Sequence, residues 1–199
     1  MCAMMCKGMR LLLLLAAFLF FAGCTAKIPH AIVPDYGKRG TRLVAVMPVQ
    51  NSPADPEMAR LLRNKLVEEL YFKGYPKIPP KMIDEKLAGV VASGGGEVSP
   101  RLLGEMLNVD AVLYTTLKEV GTAVILFYAP TTVDVEFELR SAGTGESLWR
   151  VHYRTTRRNY GFFRKQLELK TSQVFEPAIQ EVVNKALSTL PDGPDAIGS

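Results

Sequence analysis

Val133, Val135, Phe137 and Leu139 alternate with Asp134, Glu136 and Glu138. After Gly143-Thr144-Gly145 the alternation resumes, with Trp149, Val151 and Tyr153 set against Arg150, His152 and Arg154. A period of two sends the two sets to opposite faces of a strand, so these runs predict a hairpin with an apolar face in the core and a charged face outside. Opposed residues share a face, so the numbers of each pair must add to an even total, and a sum of 288 leaves the glycine-containing stretch as the loop. This register pairs Leu139 with Trp149, Phe137 with Val151 and Val135 with Tyr153. On the other face it pairs Glu138 with Arg150, Glu136 with His152 and Asp134 with Arg154.

Earlier in the chain, Leu43-Val44-Ala45-Val46-Met47-Pro48 is a short apolar run closed by proline, the pattern of a buried strand. Asp55 and Pro56 can then cap and open a helix whose stripe is Ala59, Leu62, Leu66 and Leu70, with Arg60, Arg63, Glu68 and Lys73 elsewhere and Gly74 at its end. Tyr75 to Pro80 predicts a short edge strand, because Pro76, Pro79 and Pro80 cannot donate to a ladder. Helices are expected over 81–91 and 100–107, and strands over 110–118 and 121–128. Phe175, Ala178, Ile179, Val182, Ala186 and Leu190 form the stripe of a last helix, with Pro177 expected in its first turn. The order predicts an α/β or α+β sandwich: a mixed sheet with a parallel crossover first and an antiparallel meander later, and helices packed on it.

The start of the chain is patterned differently. Lys7 and Arg10 precede twelve unbroken apolar residues, Leu11 to Ala22, and Phe21-Ala22-Gly23 then lead into Cys24. This is the layout of a secretory signal, and the apolar run is too short for a bilayer core that takes roughly 20 helical residues. Ala22-Gly23-Cys24 resembles the lipobox of bacterial lipoproteins. The resemblance implies cleavage before Cys24, acyl chains on its thiol and, with Thr25 rather than Asp next, the periplasmic face of the outer membrane. The expected organisation is therefore a signal peptide at 1–23, a lipidated cysteine and tether at 24–42, one globular domain at 43–191 and a flexible tail at 192–199. Pro29, Pro34, Gly37 and Gly40 mark the tether, which would reach roughly 55 Å if fully extended.

Charge and cysteine usage narrow the possibilities. Cys2 and Cys6 leave with the signal and Cys24 is consumed by the anchor, so the mature chain keeps no thiol for disulfides, metal or nucleophilic catalysis. Loss of Lys7 and Arg10 from 24 basic residues leaves 22 against 20 acids, which is no nucleic-acid footprint.

Val44-Ala45-Val46-Met47-Pro48 with Asn51, then Gly74-Tyr75, then the run Leu103 to Tyr114, then Thr144-Gly145-Glu146-Ser147-Leu148-Trp149 resemble a bacterial lipoprotein family of unassigned function that includes a neisserial genome-derived antigen. That family is similar in turn to the curli-secretion lipoprotein CsgG and the amino-terminal domain of TolB. The resemblance implies an anticodon-binding-like sandwich in an envelope protein, and it carries over no catalytic residue.

Signatures of chemistry are missing: there is no His-Glu-x-x-His, no Gly-x-Ser-x-Gly and no cysteine pair, so no enzyme, cofactor or metal is expected. The Ser93-Gly94-Gly95-Gly96 stretch lacks the Gly-Lys-Ser/Thr of a phosphate loop and reads as a surface loop. His152, Asp134, Glu136 and Glu138 are explained by a water-facing strand surface. Tyr160, Phe162, Phe163 and Arg164, aromatic and basic together, are the candidate partner-binding residues. The expectation is a lipid-anchored, non-enzymatic binding or assembly module of the envelope that self-associates and meets another envelope lipoprotein or a secretion partner, not nucleic acid. A CsgG-like secretion-pore subunit is the alternative.

Overall fold

The computed structural model describes residues 27–51, 56–92, 98–123, 128–160 and 164–196. Its centre is the alternating part of the sequence, which forms three long strands: β3 (Ala111–Thr122), β4 (Tyr128–Ser141) and β5 (Ser147–Tyr160). With β1 (His30–Ile32) and β2 (Val44–Val46) they make one sheet in the order β1-β5-β4-β3-β2. Only β2 and β3 run parallel; the other neighbours are antiparallel. The mixed sheet, with its parallel crossover and antiparallel meander, is the one the pattern predicts.

All six pairs of the predicted β4–β5 register occur. The sum breaks between Leu139 and Arg140, where Arg140 meets Ser147. Beside this bulge the adjacent residues Leu148 and Trp149 are both buried. Gly145, at φ +75, donates its N–H to the Ser141 carbonyl (2.8 Å) and closes the turn.

Helices cover the sheet unequally. On one face lie α1 (Pro56–Phe72) and α4 (Arg164–Leu187), whose Leu62, Leu66, Leu70, Ala178, Ile179 and Val182 meet Val135, Phe137 and Trp149 in the main core. On the other, α2 (Pro80–Ala92) and α3 (Pro100–Leu107) bury Ile83, Leu103 and Leu107 against Ala45, Met47 and Val112. Ser99 caps α3 by accepting from the Leu102 N–H, Pro100 opens it, and Asn108 ends it in the left-handed conformation. The second pair of helices reaches β2, β3 and the Ala142 end of β4, which leaves the rest of β4 and β5 open on that side.

Several expectations are corrected. Residues 121–122 belong to β3, which runs on past 118 through a bulge between Leu117 and Glu119; no turn residue interrupts it before Gly121, which pairs with Thr132. Tyr75 to Pro79 form no strand, and Tyr75 instead drops its ring into the core. Arg63 is buried, not on the outer face: its Nε donates to the Val46 carbonyl (3.0 Å) and its Nη1 to both oxygens of Asp84 (2.7 and 2.9 Å). Pro177 lies well inside α4 and not in its first turn.

The tether and the tail also pack. Three residues of the expected tether form β1, and the buried Tyr36 shares a 2.9 Å hydrogen bond between hydroxyls with Tyr75. Tyr75 donates in turn to the Pro191 carbonyl. Gly193 of the expected tail is buried and donates its N–H to the Lys73 carbonyl, while the Asp195 N–H reaches that of Gly74. A three-residue strand carries too little periodicity to be read from sequence, so the expected bounds of 43–191 were too narrow for the packed chain.

Candidate functional site

The side of β3, β4 and β5 turned away from α1 and α4 carries Lys118, Asp134, Glu136, Glu138, Arg140, Arg150, His152 and Arg154, and the strand register fixes who meets whom. Glu138 accepts from Arg140 (2.8 Å) and Arg150 (2.5 Å). Glu136 pairs with Lys118 at 2.7 Å and lies 3.9 Å from Arg150. His152, opposite Glu136 in the backbone, leans diagonally to Asp134 (2.5 Å), and Arg154 reaches Glu119 (2.9 Å) and Asp134 (3.8 Å). Acids and bases are thus interleaved and mutually paired.

The surface is less purely solvent-facing than the alternation predicts. Asp134 is buried and Glu138 half-buried. Burial pushes the Glu138 carboxyl up, but hydrogen bonds from Arg140, Arg150 and Ser147 outweigh it and hold the group below the usual glutamate range. Beside this ladder an open cleft of about 650 Å³ runs to α2 and α3, walled on one side by Tyr114, Glu136, Glu138 and Arg140 and on the other by Leu87 and Leu103. The Arg140 guanidinium stands 5.6 Å from the Tyr114 ring centroid. Sequence reasoning had not joined Tyr114 and Arg140, because only the β3–β4 register brings their strands together.

Along the same face towards the far end of β4 and β5 the chemistry changes. The charges give way to a Thr132–Thr156 hydroxyl pair (3.2 Å) and then to Tyr128 and Tyr160, register partners whose ring centroids are 5.3 Å apart. Tyr160 is 62% exposed. It is the one candidate partner-binding residue whose side chain is described. Phe162 and Phe163, like Cys24, lie outside the described residues; Arg164 is the first residue of α4, with its side chain outside them.

A second exposed aromatic pair, Tyr71 and Phe72 at the end of α1, flanks a cleft of about 760 Å³ beside Asp192, Asp195 and Ala196. Both residues fall off the apolar stripe of α1, which was the available signal for their exposure. Behind them burial pushes the phenols of Tyr36 and Tyr75 up, and the two stay neutral as hydrogen-bonded partners. Among the described residues no group of three or more His, Cys, Asp or Glu is placed to hold a metal ion, and no helix is long and apolar enough to cross a membrane.

A model of the GNA1162-like lipoproteins matches residues 35–194. The crystal structure of lipoprotein GNA1162 from Neisseria meningitidis superposes with a TM-score of 0.52 at 22% identity, over 68% of this chain and 96% of that one. A PelC dodecamer subunit from Paraburkholderia phytofirmans gives 0.48 at 17% identity, over 80% and 96%. No curated protein matches the sequence.

Proposed function

Because the chain belongs to the GNA1162-like lipoprotein family, we propose that it is a non-enzymatic binding or assembly module, held on the periplasmic face of the outer membrane by acyl chains on Cys24. Its precursor is cut after Gly23 and the mature chain self-associates or meets another envelope protein. The observation that carries this reading is the ladder on β4 and β5. It is a broad sheet surface largely uncovered by the helices, with its acids and bases in mutual pairs among the described residues.

Such a surface suits a polar partner that trades one set of ion pairs for another, with register as the source of specificity. It is a poor fit for nucleic acid, which needs an excess of unpaired cations. The pore alternative requires strands that turn an apolar face to lipid. Here the apolar faces of β4 and β5 lie under α1 and α4.

Crosslinking in intact cells followed by capture of the full-length lipoprotein tests the module. The Arg150→Glu variant should remain folded and lose the captured partner. A full-length chain that stays monomeric at high concentration and captures nothing overturns the proposal, and discrete ion conductance in a bilayer would put the pore reading in its place. For the anchor, Cys24→Ala should abolish acyl labelling and leave uncleaved precursor.

A further inference from the structure

β1 fixes where the anchor must leave the fold. It pairs with β5 as His30 with Val151 and Ile32 with Trp149, a constant sum of 181. Continued two residues back, that register sets Ile28 level with Tyr153, and both are half-buried against the main core. Ile28 lies only four steps along the chain from Cys24, with three residues between them, a reach of about 13 Å at full extension. The membrane that holds the acyl chains is therefore close to the β1–β5 edge, and the chain leading to it points along β5 towards Tyr160.

That end of the sheet has the composition of a lipid-water boundary. Tyr128 and Tyr160 stand together on the open face, and Tyr rings favour the headgroup level because one end is apolar and the other polar. Arg158 and Lys27 are exposed, and neither has a carboxylate partner among the described residues, so both are available to phosphate. From Tyr153 to Tyr160 the strand advances about 23 Å, so a straight tether leaves Tyr160 roughly 10 Å beyond Cys24, the depth to which interfacial groups enter a leaflet.

We propose that this end of the sheet docks on the phospholipid leaflet that holds Cys24, with Tyr128 and Tyr160 in the interface and Arg158 and Lys27 at the phosphates. The proposal rests on the lipid-anchor reading and gives the candidate residue Tyr160 a membrane partner. The charged ladder and the cleft beside it then lie on the same face but farther along the strands from the headgroups, where a protein partner can be met.

The mature chain has no cysteine but the acylated Cys24, so a new thiol can be labelled selectively. Full-length lipoprotein carrying Tyr160→Cys, Tyr128→Cys or, at the opposite end of the sheet, Thr144→Cys is labelled with a nitroxide. Each is then placed in vesicles of phosphatidylethanolamine and phosphatidylglycerol. The labels at 160 and 128 should lose most of their collisions with a polar nickel chelate and keep those with oxygen; the label at 144 should stay aqueous. A chain that floats with the vesicles while 160 and 128 remain aqueous overturns the docking alone. Failure to float overturns the lipid-anchor reading and the docking with it. Labels aqueous in pure lipid but shielded in native membranes would identify a protein as the partner of this end, and also overturn the proposal.

Discussion

Gly104 sits in α3 facing the bulged end of β4, and a Cβ added to it would lie 2.5 Å from the Cβ of Ala142. In an exposed helix Gly→Ala stabilises by about 1 kcal/mol. Here the sign should reverse, because the helix must move off the sheet or strain its backbone: Gly104→Ala is expected to cost about 1 to 3 kcal/mol in urea unfolding. Glu138 gives a second test at this scale. Its carboxyl is held below the ordinary glutamate range in the folded state, so the unfolded chain binds the proton first as pH falls. The stability it contributes is full above the ordinary glutamate range and is lost as pH drops through the folded value. Glu138→Gln should therefore be less stable at neutral pH and lose less on acidification, the two unfolding curves converging in acid.

At the scale of elements, the hairpin and the last helix teach opposite lessons. The β4–β5 register was legible because two independent patterns, apolar and charged, agreed on the same sum. Each exposed charge pair adds only about 0.2 to 1 kcal/mol, so the apolar contacts carry the stability and the charges select the alignment. The start of α4 was not legible, since a proline inside a helix costs about 3 kcal/mol relative to Ala and favours a start near Phe175. The helix instead begins at Arg164 and carries Pro177, exposed, within it. Packing of Ala178, Ile179, Val182 and Val183 offsets that loss. Pro177→Ala should consequently raise stability by about 1 to 3 kcal/mol, read as a higher urea midpoint; an unchanged midpoint would argue against a continuous helix through this position.

For the whole molecule, the packed ends matter most. A fragment cut at the bounds drawn from sequence, 43–191, would lose Ile28, Ile32, Val33 and Tyr36 from the main core, together with the Lys73 and Gly74 backbone contacts of Gly193 and Asp195. Fully burying one large apolar side chain contributes about 1.5 to 3 kcal/mol, so this fragment should be less stable than 27–196 by at least about 3 kcal/mol in paired urea titrations. The packed amino-terminal residues also shorten the tether from the roughly 55 Å expected to about 13 Å. Under the proposed anchoring at Cys24, that change brings the domain down to the membrane and makes its orientation a structural property.

Sequence alone determined what local periodicity and local chemistry can encode. The charged stretch, apolar run and cysteine at the start support the proposed lipid anchor, and the period-two and helical stripes gave most of the elements, the mixed sheet and the six central pairs of one strand register. Residues 144–149 and the run ending at Tyr114 carried the family resemblance. What tertiary structure decided depends on neighbours distant in sequence. Arg63 is buried because the Val46 carbonyl and Asp84 receive it, and β1 exists because β5 offers three free ladder positions. Most of the ladder on β4 and β5 is uncovered because α2 and α3 reach only β2, β3 and the Ala142 end of β4. Short strands, paired buried charges and uncovered faces have no period of their own, and only the assembled sheet specifies them.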